Sequence, residues 1–296
     1  MAKRSDVVVG VIIGGSFLFF LFFLLLGILS LSGEKTTLLG GFGKKVAIID
    51  VVGSITTSED VIRQLKRYTQ DSSVPSIVLN IDSPGGGIAP SQEIYEEIKK
   101  AKEKGKKIVA SMSGMAASGG YYIACAADTI VANPGSITGS IGVIFEFPVA
   151  EKLFKKIGLE FEVVKSGEAK DMGTFVRPMT EKERGLLQSV INDVYDQFVN
   201  VLVEQRKIPK EEVLEFADGR IFTGNQAKQL GLVDVIGNLE DAIQIAGKMG
   251  GIGGSPATVK ERKRKITLME LLSQRFNGLL NLNQRNSGPE FMYIFR

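Results

Sequence analysis

Ser118 stands in the run Ser111-Met112-Ser113-Gly114-Met115-Ala116-Ala117-Ser118-Gly119-Gly120-Tyr121-Tyr122, which reads as a strand passing into a helix through small residues. Near a helix start, unsatisfied N–H groups and the positive end of the dipole favour a developing alkoxide or oxyanion. Gly119 and Gly120 leave room for a substrate carbonyl to approach the backbone. The plain structural alternative is an N-cap serine, a role that suits Ser113. A nucleophilic serine needs a base, and the 296 residues contain no histidine. Ser-His-Asp triads, Cys-His dyads and His-ligated zinc are therefore excluded. Lys170, in Lys165-Ser166-Gly167-Glu168-Ala169-Lys170-Asp171-Met172-Gly173-Thr174, is the candidate base. A lysine that serves this way must fall from its ordinary ~10.4 toward ~7 to 8, which desolvation can achieve. The reading thus requires a dry, water-excluding site. A carboxylate aimed at the amine would oppose it, so Asp171 is expected to point away. Ser140, in Gly139-Ser140-Ile141-Gly142, is the candidate hydroxyl for orienting the amine. A third segment, Asp82-Ser83-Pro84-Gly85-Gly86-Gly87, follows a strand and precedes a helix, so its N–H groups can converge as in an oxyanion hole. A Gly-rich turn or a phosphate cradle would look similar, but the Gly-Lys-Ser/Thr of a P-loop is missing.

The elements that must position these residues alternate. Apolar, β-rich runs are expected at Val46 to Val52, Ile77 to Ile81, Ile108 to Met112, Thr129 to Val131 and Phe161 to Val164. Between the first two, a helix opens at Ser58 with Glu59 and Asp60 in its first turn; between the next two, Ile94, Ile98 and Ala101 recur at helical spacing. Nearly continuous apolar strands with intervening helices predict an α/β fold, a mostly parallel sheet covered on both faces. A long helix is expected over Thr180 to Arg206, and shorter ones near Gln226 to Leu230 and Leu239 to Lys248.

The ends have a different composition. From Val7 to Gly33 there is no charged residue, and Phe17 to Leu26 is Phe and Leu throughout. At ~1.5 Å per residue this stretch reaches the ~30 Å of a bilayer core, so residues 1–33 are read as one N-terminal transmembrane anchor. A cleavable signal peptide is the alternative, though its apolar region is usually shorter and Ser30-Leu31-Ser32 is a poor cleavage site. Residues 34–45 form a linker, 46–248 the catalytic domain, and 249–296 a C-terminal linker and apolar tail. The charge run Lys260 to Lys265 reads as a solvated linker, whereas Met292 to Phe295 has two readings, packing on the domain surface or lying extended in a peptide-binding groove. A net charge of +3 with mixed signs argues against nucleic acid, and one cysteine, Cys125, excludes an internal disulfide.

Together these segments resemble signal peptide peptidase A, a membrane-bound Ser/Lys protease family of the ClpP/crotonase fold. The likeness covers about Val46 to Ile245: the SPGGG loop, SGMAASGGYYIA, TGSIGV at Thr138 to Val143, KSGEAKDMGT, and DGRIFTGNQAKQLGLVD at Asp218 to Asp234. It implies a serine endopeptidase acting on remnant signal peptides, with Ser118 as nucleophile, Lys170 as general base, Ser140 positioning the lysine, and N–H groups of Gly85 and Gly119 forming the oxyanion hole. Thr174 stands where the family often has Ser. The resemblance also implies a homo-oligomeric ring, with the serine and lysine of one site drawn either from one protomer or from neighbours, a protease domain on the extracytoplasmic side of the cell membrane, and no cofactor or metal. Two rivals share part of the pattern: a membrane Ser/Lys protease associated with stomatin-like partners, which would differ in substrate, and the acyl-CoA enzymes of the crotonase fold, which lack an anchor.

Overall fold

The computed structural model describes residues 16, 19–22, 43–261 and 292–294. The chain divides into two units, Met1–Phe42 and Gly43–Arg296. In the first, residues 16 and 19–22 are helical. Most of the expected anchor, and the stretch 268–282, lie outside the described residues, among which no helix is long and apolar enough to cross a membrane.

The second unit is α/β. Its strands are β1 (Lys45–Val52), β2 (Ser76–Ser83), β3 (Gly85–Gly87), β4 (Lys107–Ala117), β5 (Thr129–Ala132), β6 (Ile137–Gly139), β7 (Ile221–Thr223), β8 (Val235–Ile236), β9 (Ala257–Lys260) and β10 (Met292–Ile294). Its helices are α1 (Glu59–Gln70), α2 (Ile88–Glu103), α3 (Gly119–Ala124), α4 (Glu151–Lys156), α5 (Glu181–Arg206), α6 (Lys210–Phe216), α7 (Gly224–Gln229) and α8 (Leu239–Met249), with a 3-10 turn at Glu168–Asp171. One mixed sheet runs β7-β6-β4-β2-β1-β9, with β5 beside β4 and β8 beside β5. Every pairing in it is parallel except β6 with β7.

Alternation along the strands explains why the sequence reads as continuous apolar runs. Ala47, Ile49 and Val51 of β1 and Ile77, Leu79 and Ile81 of β2 face a core shared with Leu65 of α1, Ile94 and Ile98 of α2, Tyr121 to Ala124 of α3, and Phe198 and Leu202 of α5. Val46, Ile48, Val78, Val109 and Val131 face the other way, onto Ala242, Ile243 and Ala246 of α8. Both faces are apolar over the first part of each strand; toward the carboxyl ends the second parity turns polar, where Asn80 donates to Asp50 at 2.9 Å.

Three expectations are corrected. The run Phe161–Val164 forms no strand: it finds no sheet partner among the described residues and leaves Val164 93% exposed. Ser113 caps no helix; it lies inside β4, which is longer than expected, and donates to Asn80 Oδ1 at 2.9 Å. Lys260, read as the start of a solvated run, ends the edge strand β9 and pairs with Asp50 of β1 at 2.7 Å.

Candidate active site

β4 runs directly into Ser118, which stands at the N-cap of α3 with φ 53° and ψ −117°. A non-glycine residue with positive φ is costly and persists where its surroundings hold it. The Ser118 N–H donates to the Gly139 carbonyl at 2.8 Å, continuing the β4–β6 ladder past the Ala117–Gly139 pair. Its hydroxyl makes no capping bond; it is buried and finds no hydrogen-bond partner among the described residues. A buried hydroxyl normally has a partner. The turn therefore presents an oxygen held ready and unused. Ser140, the residue after Gly139, has φ 50° and is also buried, its N–H donating to the Arg220 carbonyl at 2.8 Å. Parallel neighbours run ~4.8 Å apart, so the register sets the two strained serines side by side. Gly119 opens α3, and its N–H is among those that a helix leaves without an internal partner.

The glycine loop closes the same site. A Cβ on Gly120 would lie 3.0 Å from the Ser83 carbonyl, so α3 packs directly on the loop's start. Ser83, fully buried, donates to the Gly53 carbonyl at 2.6 Å and accepts from the Gly85 N–H at 3.1 Å. In this state the Gly85 N–H, expected as an oxyanion donor, is therefore engaged by a hydroxyl that a substrate oxyanion would have to displace. On one edge of β3, Ile55 donates to the Gly85 carbonyl at 2.9 Å and accepts from Gly87 at 2.8 Å. Backbone alternation turns the N–H and C=O of Gly86 to the opposite edge. There the chain's own β10 lies antiparallel, Tyr293 opposite Gly86 and Ile294 opposite Gly85. The apolar tail thus occupies the edge of the glycine loop in extended form.

Lys170 is not brought into this dry setting by the single chain. It sits in the 3-10 turn and is exposed, so the expected burial is absent in the single chain. The turn is tied instead to the start of α5. Asp171 points away from Lys170, as expected, and pairs with Lys165 at 2.5 Å and Arg177 at 2.9 Å. Arg177 also grips both oxygens of Glu183 at 2.6 and 2.9 Å. Hydrogen bonding from Arg177, then from the Thr180 N–H, holds the Glu183 carboxyl down at about 2, and bonds from Arg177 and then Lys165 lower that of Asp171. Thr180 and Glu183 complete a capping box on the 26-residue α5. From both sides of the turn in the chain, Phe154, Phe161 and Phe175 come together with ring centroids 4.8 to 6.2 Å apart. Ile157, Leu159 and Val163 nearby remain about half exposed.

Comparison with known proteins adds a family. The family model "Peptidase family S49" matches residues 100–252, about half of the chain, and "Clp protease" matches residues 43–136. A provisionally named protease of Synechocystis sp. is 46% identical over 211 residues, covering 71% of this chain and 76% of that protein. The chain belongs to peptidase family S49. A provisionally named signal peptide peptidase SppA of Enterococcus faecium is 37% identical, covering 79% and 71% of the two chains. The chloroplastic serine protease SPPA of Arabidopsis thaliana is 34% identical over 78% of this chain, but that match spans 33% of the plant protein.

Two features of this S49 peptidase were not read from its sequence. Ser83 was seen as part of a Gly-rich loop, but its hydroxyl ties the loop's two ends together. Arg177 was not singled out; the Thr180-x-x-Glu183 spacing of a capping box was legible, whereas nothing local marks the arginine that closes on it. Cys125 is fully buried and its thiol is pushed up to about 12 by desolvation, so it is no rival nucleophile.

Proposed function

We propose that the chain is a membrane-anchored serine endopeptidase that cleaves extended apolar peptides, remnant signal peptides among them, with Ser118 as nucleophile and Lys170 as base. The observation that carries this reading is the Ser118 hydroxyl, buried and unbonded on a strained strand-to-helix turn beside Ser140. The β10–β3 pairing supports the substrate class: the edge of the glycine loop accepts an antiparallel strand, and a peptide would add there through its main chain.

In the proposed reaction, neutral Lys170, oriented by Ser140, takes the Ser118 proton as the hydroxyl attacks the peptide carbonyl. N–H groups of Gly119 and Gly85 receive the oxyanion, Gly85 exchanging its bond to Ser83. The protonated lysine then gives its proton to the leaving amine, leaving an acyl-enzyme; the amine next activates water for deacylation. Because Lys170 is exposed in one chain, its dry environment comes from a second copy. Supporting this, Val164, Phe161, Leu159 and Ile157 are exposed on the same extension. A homo-oligomer that buries this extension would bring the lysine of one protomer to the serine of its neighbour. The anchor and an extracytoplasmic protease domain belong to the same proposal, supported by the uncharged run from Val7 to Gly33 and by the name of the Enterococcus relative.

The test is hydrolysis of an apolar signal-peptide-derived substrate by the wild type, Ser118→Ala, Lys170→Ala, and a mixture of the two variants allowed to reassemble. Each variant alone should be inactive, and mixed assemblies should regain activity where a wild-type serine meets a wild-type lysine. Activity in Ser118→Ala would refute the nucleophile, and inert mixed assemblies would refute the shared site.

A further inference from the structure

We propose that Arg177 is a positioning residue for Lys170, acting as a fork that fixes the lysine-bearing turn to the first turn of α5. The inference rests on Lys170 being the base, as proposed above. The other ties on the turn lie in solvent and hold it weakly: Lys182 of α5 meets Glu168 at 2.6 Å with the two side chains 75% and 81% exposed, and Lys165 donates to the Glu168 carbonyl at 2.9 Å. Glu168, Ala169 and Lys170 are exposed, no strand of the sheet pairs with the four-residue turn, and Asp171 is its one partly buried residue. Asp171, the residue after the lysine, is the point of attachment. Arg177 reaches its carboxylate with Nε at 3.2 Å and Nη2 at 2.9 Å. The same guanidinium takes Glu183 through both outer nitrogens. Glu183 is in turn locked, 6% exposed at its side chain, and accepts from the Thr180 N–H at 2.8 Å at the start of a helix whose far half is anchored by Phe198 and Leu202 in the core.

A continuous path therefore runs from the buried part of α5 through Glu183, Arg177 and Asp171 to Lys170. A helix cap alone does not require it, because Thr180 and Glu183 complete the capping box between themselves. The arginine adds a planar, two-sided grip that lysine cannot reproduce. It also occupies, with Lys165, the carboxylate adjacent to the base, leaving that charge committed away from the amine. A loosely held base loses rate through misplacement, and an error of ~1 Å costs on the order of 100-fold. Substrate contact is not involved, so the effect falls on turnover.

The experiment measures kcat and KM for one peptide with the full chain carrying Arg177→Gln, Arg177→Lys or Asp171→Asn, beside the wild type and Lys170→Ala, with thermal melts and assembly size for each. Arg177→Gln should lose roughly 10- to 100-fold in kcat with KM within about twofold. Arg177→Lys, able to hold one carboxylate but not bridge two, should fall between it and the wild type. Asp171→Asn, which leaves the helix cap intact, should lower kcat in the same way; it carries the test should Arg177→Gln fail to fold. Wild-type kcat in Asp171→Asn or Arg177→Gln while Lys170→Ala is inactive would overturn the positioning role, as would a loss confined to KM. Activity retained in Lys170→Ala would instead remove the base itself, and this inference with it.

Discussion

Replacing Gly86 by alanine probes the glycine loop where it has least room. A Cβ there would sit 2.3 Å from the Ile55 carbonyl oxygen, 2.6 Å from its nitrogen and 2.7 Å from its carbonyl carbon, against 3.4 Å for ordinary contact. All three atoms are backbone, so no rotamer change relieves the clash. β3 and the Ile55 segment must part by about 1 Å, which strains or breaks the two bonds at 2.9 and 2.8 Å that join them. Overpacking of about 1–3 kcal/mol, with about 1 kcal/mol for each bond lost, puts the stability cost on the order of 2–5 kcal/mol. The same displacement moves Gly85 and the edge on which a peptide would pair, so kcat/KM should fall about 100-fold or more. Gly87→Ala is the control: its φ is −59°, and its Cβ would touch the Pro90 ring at 3.1 Å, which a few tenths of an ångström relieve. Peptide hydrolysis and thermal melting of both variants decide the matter. Wild-type kcat/KM in Gly86→Ala, or equal damage from Gly87→Ala, would refute the argument that the Ile55–β3 contact sets the site.

Three further outcomes are expected. Deleting residues 289–296 should speed cleavage of a small peptide, because β10 lies on the edge that the substrate needs; an unchanged rate measured in parallel with the full chain would show that the tail does not compete. Val164→Glu, at a side chain 93% exposed in one chain, should leave the fold intact yet reduce assembly size in light scattering and reduce activity with it; full-size, fully active assemblies would place the interface elsewhere. Glu183, held at about 2 against an ordinary 4.5, contributes stability that is complete above the ordinary value and is lost as the pH falls from there through about 2. Glu183→Gln should therefore melt lower at pH 7 and show a shallower loss between pH 5 and 3, whereas parallel melting curves across that range would contradict it.

The sheet was legible because burial on both faces leaves a nearly continuous apolar signature: Val46 to Ile49 and Ile77 to Leu79 alternate between two cores, and only Asp50 and Asn80 interrupt the runs. Local chemistry also marked the start of α5, where Thr180 and Glu183 stand at capping-box spacing. What depends on a partner distant in sequence was not legible. Phe161 to Val164 has the composition of a strand, but a strand also needs a neighbour, and one chain supplies none. β9 was hidden behind a Gly-rich run and ends in a lysine, yet Asp50 across the ladder makes it part of the sheet. At the site, small residues around Ser118 signalled close backbone approach, but no local signal marks its positive φ, at the end of a strand paired with a segment more than twenty residues away. The absence of histidine called for another base and the resemblance implied Lys170; its exposure in one chain was not legible, since local spacing carries no information about what covers a loop.

The most direct measurement is covalent: the full chain is treated with a fluorophosphonate, and the adduct is located by peptide mapping, in the wild type, Ser118→Ala and Lys170→Ala. One adduct is expected, on Ser118, absent from Ser118→Ala and formed far more slowly in Lys170→Ala. An adduct that persists in Ser118→Ala, or labelling as fast without Lys170 as with it, would contradict the Ser118 and Lys170 pairing.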